Sequence, residues 1–475
     1  MQVLDILVLL GYFVLLVVIG AHASRGVTSN EDALAGGRSF GILTAAVGRT
    51  ANMAGGPATV GNTTYGFEQG IGGSWFAISN IISMWIAAPL APRMYRVMQR
   101  GNLITIGDFI GYRFGRFPKV FAGITNFLAY TGFVAANIIA TGTVIHIILG
   151  WNIAATMIGT AIIVILYTMA GGLKSVFQTN ILQVGIMILG FFAILMPISI
   201  KSVGGWSELL TSLPDSYLKL GSMGVGTIIG TILIPTALTG FTTQAGYVSI
   251  ASSKDISVSW KSTLVSGIFY AFIALPVIVV GMVAFVLFPG AEPQQILAYT
   301  ITELLPNGLV GILLAAVISA TMSTASSCML NAVACFSQDV LGAFKQEEIS
   351  EEKSLKRTRL LIILIGVIAL VFAVLLPDVI QLLLIGYSLA AGGLLVPVFA
   401  TMFWKRATSK GIIASMLSGG ISYLVLSRLV TWPPLFLSIP LSLLALVLVS
   451  LVDQAQDPKD YAAYFEDTWT KYHPI

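Results

Sequence analysis

Apolar stretches of roughly 18–25 residues recur from one end of this chain to the other, and that recurrence leaves few folds open. In a hydrocarbon layer about 30 Å thick, only helices and closed barrels satisfy every backbone N–H and C=O without water. Thirteen stretches of helical length can be placed, near 3–22, 41–66, 73–95, 120–148, 152–170, 175–199, 223–247, 262–288, 307–338, 359–376, 379–403, 411–431 and 434–452. Only 10% of residues are Asp, Glu, Lys or Arg, whereas 56% are apolar; a soluble domain carries about a quarter charged residues. The chain therefore reads as an all-α integral membrane protein, a single transmembrane domain over 1–453 followed by a tail over 453–475. The first stretch follows Met1 with no basic leader or small-residue cleavage site, so it is expected to be retained.

An odd number of crossings puts the two termini on opposite sides, and positive charge chooses between them. With the N-terminus outside and the C-terminus cytoplasmic, the inner links collect Arg93, Arg96, Arg100, Arg113, Arg116 and Lys119 among others. Of 25 Lys and Arg, only Lys201, Lys219 and Arg428 then fall outside, and Arg49 lies within a stretch. The net charge of +4 is this inner bias and calls for no nucleic-acid partner. Cys328 and Cys335 stand about 10 Å apart in helical rise and are expected to be buried thiols, not a disulfide. His22, His146 and His473 are scattered, which leaves no metal cluster.

Two stretches are interrupted. The second contains Gly48, Gly55, Gly56 and Pro57, and the seventh contains Gly230, Pro235 and Gly240. Glycine and proline both penalise helix interiors, so neither stretch is expected to be continuous. They lie five apart and so run in opposite senses, the pattern of an inverted-repeat carrier with its binding site at the bilayer midplane. Glycine used for close helix packing is the competing explanation for either one alone. In the ninth stretch Ala320, Ser323 and Thr324 share a helix face at i, i+3 and i+4. Hydroxyls at that depth need partners, and an alkali cation stripped of water is a suitable one, although ordinary small-residue packing would give the same face.

Five further pieces bear on kinship: Gly36-Gly37-Arg38-Ser39, the run Thr105–Gly115 ending in Arg-Phe-Gly, Gly171-Gly172-Leu173-Lys174 followed by Thr179 and Gln183, Gln244 followed by Lys254-Asp255, and Pro397 leading to Phe403-Trp404-Lys405-Arg406 and Gly411. In this order and spacing they resemble the sodium:solute symporter family over about residues 5–450. The resemblance implies a LeuT-like 5+5 inverted repeat over 41–403, with one extra N-terminal helix (3–22) and two extra C-terminal helices (411–452). It also implies coupling to sodium, held by the carbonyls of Thr50, Met53 and Ala320 and the hydroxyls of Ser323 and Thr324. Solute is expected between the broken helices, against Asn52, Ala54, Thr239, Phe241, Thr242 and Gln244, with Tyr387 either a gate or plain packing.

Two departures from the family pattern stand out. Asn180 replaces an aspartate associated with a second sodium in some members, and Asn52 replaces one in the first broken helix, so at most one sodium is expected. Arg49 precedes Thr50 and lies about 12 Å along a helix from Gly41. An arginine at the bilayer centre costs about 3 kcal/mol on insertion scales. Three explanations stay open: snorkelling to inner water, replacing the cation, or holding an anionic solute. The scarcity of membrane-depth Asp and Glu argues against a cationic solute. The expected function is sodium-coupled symport of a small solute such as an amino acid or organic acid across the plasma membrane, with a sodium-independent exchanger or uniporter as the alternative. No catalytic cluster lies in the stretches and no ATP-binding GxxxxGK[ST] loop occurs, so neither an enzyme nor an ATP-driven pump is expected, and no cofactor beyond the coupling ion.

Overall fold

A computed structural model describes residues 3–24, 30–344, 350–375 and 379–465, and within them a helix occupies each of the thirteen apolar stretches. The first is Val3–Ser24 (α1). The second is split into Ile42–Met53 (α2) and Asn62–Gln69 (α3), with a bend at Ala54 and Gly55 and a π-turn over Pro57–Gly61 between them. Trp75–Ala87 (α4) and Ala91–Arg100 (α5) form the third, and after the short helix Ile106–Phe114 (α6) comes Arg116–Leu149 (α7). Ile153–Met187 (α8) carries the fifth and part of the sixth, turned between them at Gly172, where φ of 55° suits glycine. The seventh is broken again: Ile234–Ala237 (α9) and Gln244–Ala251 (α10) are separated by a short turn and by Thr243 in an extended conformation. Ile256–Leu287 (α11), Leu309–Ala334 (α12), Glu351–Leu375 (α13), Val379–Phe403 (α14), Ser409–Leu429 (α15) and Leu435–Val452 (α16) complete the series, and Pro458–Phe465 (α17) follows in the tail.

Ten helical segments among the described residues are long and apolar enough to cross a bilayer. Breaks and turns explain why the number is not thirteen. The α2 segment has only 12 residues before its bend, the segments Ile153–Met169 and Ala390–Phe403 are shorter apolar helices, and α3 to α5 run on as one apolar length. The mixed-charge segment 345–358 continues from Glu351 onward into α13, and 345–349 lie outside the described residues.

Helix ends are tied by charged side chains that the apolar pattern alone would leave unexplained. Asp5 on α1 accepts hydrogen bonds from Gly308 N (2.8 Å) and Gly311 N (3.0 Å), placing a carboxylate at the positive end of α12. Thr105 and Asp108 form a capping box at the start of α6. Arg113, near the end of that helix, donates to the carbonyls of Ala400, Thr401, Trp404 and Lys405 at 2.8–3.2 Å, so a guanidinium caps the last turn of α14 and the residues that follow it. The tail helix docks on the same region: Arg93 donates to Tyr464 O, and the Tyr464 hydroxyl reaches Phe109 O. At the centre α12 is buried along nearly all its length, packed on α7, α8 and α2, while α11 lies against α2, α3 and α4. Its run of Ala, Ser and Thr permits that close approach.

Candidate functional site

The break in the second stretch is built by chemistry before packing. In a continuous helix the carbonyl of Met53 would accept from the residue four on, but that residue is Pro57, which has no N–H. Asn137 on α7 fills part of the gap, accepting from Gly56 N at 2.9 Å while its own amide donates to Phe133 O at 2.7 Å. Gly55 is required by crowding. A Cβ there would lie 2.2 Å from Asn137 Oδ1 and 2.8 Å from Thr324 Cβ. The unwound turn therefore sits directly against α12.

Thr324 makes the decisive contact, its hydroxyl donating to the carbonyl of Ala51 on α2. Ser323 donates to Ala320 O at 3.0 Å, and Thr50 bonds Ala46 O (2.9 Å) and, across to α11, Ser266 O (3.1 Å). Ser323 and Thr324 are 0% and 5% exposed, so both face the protein interior and not lipid. Thus the half-helix end carrying Thr50 and Met53 and the α12 face carrying Ala320, Ser323 and Thr324 are joined, with only neutral oxygens at the seam. Such a set suits a monovalent cation that must be released again, since no carboxylate stands among the described residues of the seam to trap it. Asn180, the position where an aspartate was noted as missing, is buried, and neither amide atom is hydrogen-bonded.

A cavity of about 10 Å³ adjoins this seam, lined by Asn52, Met53, Gly55, Tyr130, Asn137 and Thr324, with Thr243 at its far wall. That is room for about one water molecule, so a solute enters only when the helices move apart. Of the expected solute contacts, Asn52 lines this cavity; Met53 and Thr324, expected as sodium ligands, line it too. Ala54 is buried and does not line it. Phe241, Thr242 and Gln244 lie elsewhere. Phe241 packs edge-on against Phe399 with ring centroids 5.1 Å apart, and Thr242 bonds Leu238 O at 3.3 Å. Gln244 clamps the start of α6 through Ile106 N (2.8 Å) and Ile104 O (3.3 Å). The reason is a shifted break: helical structure persists past Gly240 and yields at Thr243, which takes the wall position instead. The side chains of Thr239 and Tyr387 lie outside the described residues.

Asn80, Tyr130, Phe133 and Asn137 were not anticipated as lining residues. Two of them had a legible signal, because Asn80 and Asn137 are amides in the middle of otherwise apolar stretches. Arg49 is 2% exposed, its Nη1 is 3.5 Å from Thr263 Oγ1 on α11, and its Nε has no partner. The guanidinium lies against Gly246 of α10, on a different side of α2 from Thr324: Arg49 and Ala51 stand about 200° apart around the helix.

An all-helical bundle with two interrupted helices beside one cavity, the broken end of one meeting α12 at a neutral-oxygen seam, is the architecture of LeuT-type sodium-coupled carriers. Solved structures agree. A sodium-coupled sialic acid symporter in a substrate-bound outward-open state superposes with a TM-score of 0.85 at 18% identity, over 96% of this chain and 98% of that one. A nucleobase–cation symport-1 family transporter in a closed conformation gives 0.62 at 12% identity, over 92% and 96%. The family model for the sodium:solute symporter family matches residues 34–419, and the chain belongs to that family. Among its relatives, the sodium/proline symporter of Salmonella typhimurium is 27% identical over 93% of this chain and 91% of its own length. The sodium/pantothenate symporter of Escherichia coli is 26% identical over 94% and 96%.

Proposed function

We propose that this protein is a plasma-membrane symporter that couples inward sodium movement to uptake of a small carboxylate-bearing solute by alternating access. The observation that carries the reading is the Thr324 hydroxyl on the Ala51 carbonyl, which brings α12 to the broken end of α2. Sodium is held by the carbonyls of Thr50, Met53 and Ala320 and the hydroxyls of Ser323 and Thr324, and one ion is carried per cycle. The solute binds beside it, over Asn52, Tyr130, Asn137 and Thr243. All thirteen stretches cross the bilayer, with the N-terminus outside, the C-terminus cytoplasmic, and the ten-helix core over 41–403. Proline, pantothenate and sialic acid, named for the relatives, all bear a carboxylate.

Sodium-independent exchange with Arg49 in place of the cation is the weaker reading, because the guanidinium faces Thr263 and Gly246 and not α12. The test is uptake of radiolabelled L-proline, pantothenate, pyruvate and lactate into proteoliposomes under an inward sodium gradient or an equal choline gradient. Sodium symport requires accumulation of at least one probe with sodium alone. Equal accumulation in both gradients would establish the sodium-independent reading.

A further inference from the structure

Among the described residues Arg49 is a charge without a counter-charge. Its side chain is 2% exposed, its Nε has no partner, and its one hydrogen bond to a described residue, to Thr263 Oγ1, is long at 3.5 Å. The one titratable group acting on it electrostatically is the phenol of Tyr130, and no carboxylate does so among the described residues. A buried guanidinium held this loosely is neither a structural ion pair nor a helix cap; Arg113 shows what capping looks like in this molecule, with four carbonyls engaged.

A second positive feature converges on the same place. Gly246, against which the guanidinium lies, is the third residue of α10, so the guanidinium meets the first turn of that helix. A Cβ on Gly246 would sit 3.7 Å from Arg49 Nη2, so the side chain approaches the helix there at van der Waals distance. The first amides of α10 are covered by neutral groups: Gln244 N donates to Asn126 Oδ1 (3.0 Å) and Ala245 N to the Tyr130 hydroxyl (2.8 Å). Tyr130 is also a wall of the cavity. It stands between the cavity and a site where a helix N-terminus and a guanidinium add their fields. A carboxylate fits that pair of features, since a guanidinium offers two parallel N–H donors in a plane.

We propose that Arg49, together with the N-terminus of α10, binds the carboxylate of the transported solute on the cytoplasmic side of the cavity, and that the solute is therefore a net anion, an organic acid. The proposal rests on the symport reading and deepens it. Displacing the Tyr130 hydroxyl from Ala245 N opens the way from cavity to guanidinium, so Arg49 is reached as the carrier turns inward. One sodium and one monocarboxylate carry no net charge, which makes the coupled step electroneutral.

Purified protein is tested by thermal unfolding in sodium chloride with pyruvate, lactate, propionate or succinate, against L-proline as a zwitterion and glucose as a neutral probe. At least one carboxylate is expected to raise the Tm of wild type, and L-proline and glucose to have no effect. Arg49→Lys weakens that carboxylate's binding about tenfold or more, and Arg49→Gln abolishes it while retaining the Tm rise caused by sodium alone. Without any solute, Arg49→Met melts no lower than wild type, because it removes an uncompensated charge. Wild-type carboxylate affinity in Arg49→Gln, a marked loss of Tm in Arg49→Met, or no stabilisation of wild type by any of the four acids would each overturn the proposal. Failure of the symport reading would appear separately, as absence of any sodium effect on the wild-type protein.

Discussion

Replacing Thr324 with alanine removes one side-chain oxygen from the seam and leaves four of the five proposed sodium oxygens in place. The hydroxyl bonds the Ala51 carbonyl and lies beside the glycine turn, buried at the cavity wall. A hydrogen-bond-strength interaction with a charged group contributes about 1.5–3 kcal/mol, and about 1.4 kcal/mol is tenfold in affinity. The sodium concentration for half-maximal effect is therefore expected to rise by about one to two orders of magnitude. The neutral hydrogen bond lost from the fold itself is worth only about 1 kcal/mol, so the protein should stay folded. Thr324→Ser retains the oxygen and should stay close to wild type in sodium affinity. The assay is the Tm of purified protein titrated with sodium chloride at constant ionic strength with choline chloride, which needs no knowledge of the solute. An unchanged sodium midpoint in Thr324→Ala, with Tm otherwise preserved, would refute the assignment of this oxygen.

Three other changes probe different parts of the account. Gly55→Ala forces a Cβ to 2.2 Å from Asn137 Oδ1 and should abolish sodium stabilisation and uptake, whereas Gly159→Ala, with open space at its Cβ, should leave both intact; equal behaviour of the two would contradict the close approach at the break. Arg113→Ala removes the donor to the carbonyls of Thr401 and Lys405 and one of two donors to those of Ala400 and Trp404, and should lower stability by about 2–4 kcal/mol, read as a fall in Tm with sodium affinity preserved. Asp5→Ala removes the acceptor for Gly308 N and Gly311 N and should cost about 1–2 kcal/mol by the same measurement, with Asp5→Asn costing less.

Much of this architecture was readable because a bilayer imposes one rule on every crossing segment: an apolar run of fixed length. All thirteen runs are helical, and both interruptions fall in the stretches where glycine and proline concentrate. Spacing alone puts Ser323 and Thr324 on one face, while the pairing of that face with the broken end of α2 is implied only by the family resemblance. What remained hidden was the exact residue at which a helix gives way. Gly240 suggested one position, but glycine tolerates a helix when its neighbours pack closely, and a Cβ there would lie 2.4 Å from Ser83 O. The chain yields at Thr243, which moves Phe241, Thr242 and Gln244 off the cavity wall. Tyr130 lies on the unbroken α7 and gives no local sign of facing a site, whereas the Asn137 amide in the same apolar stretch does. The clamp roles of Arg113 and Asp5 depend on partners 287 and more residues away, beyond any local pattern.

Coupling itself is tested most directly by measuring labelled sodium and labelled solute influx together in the same proteoliposomes, using whichever organic acid the uptake panel selects. The account predicts that solute accelerates sodium entry in a ratio near one to one and that Thr324→Ala loses the acceleration. Accumulation of solute with no accompanying sodium would contradict it.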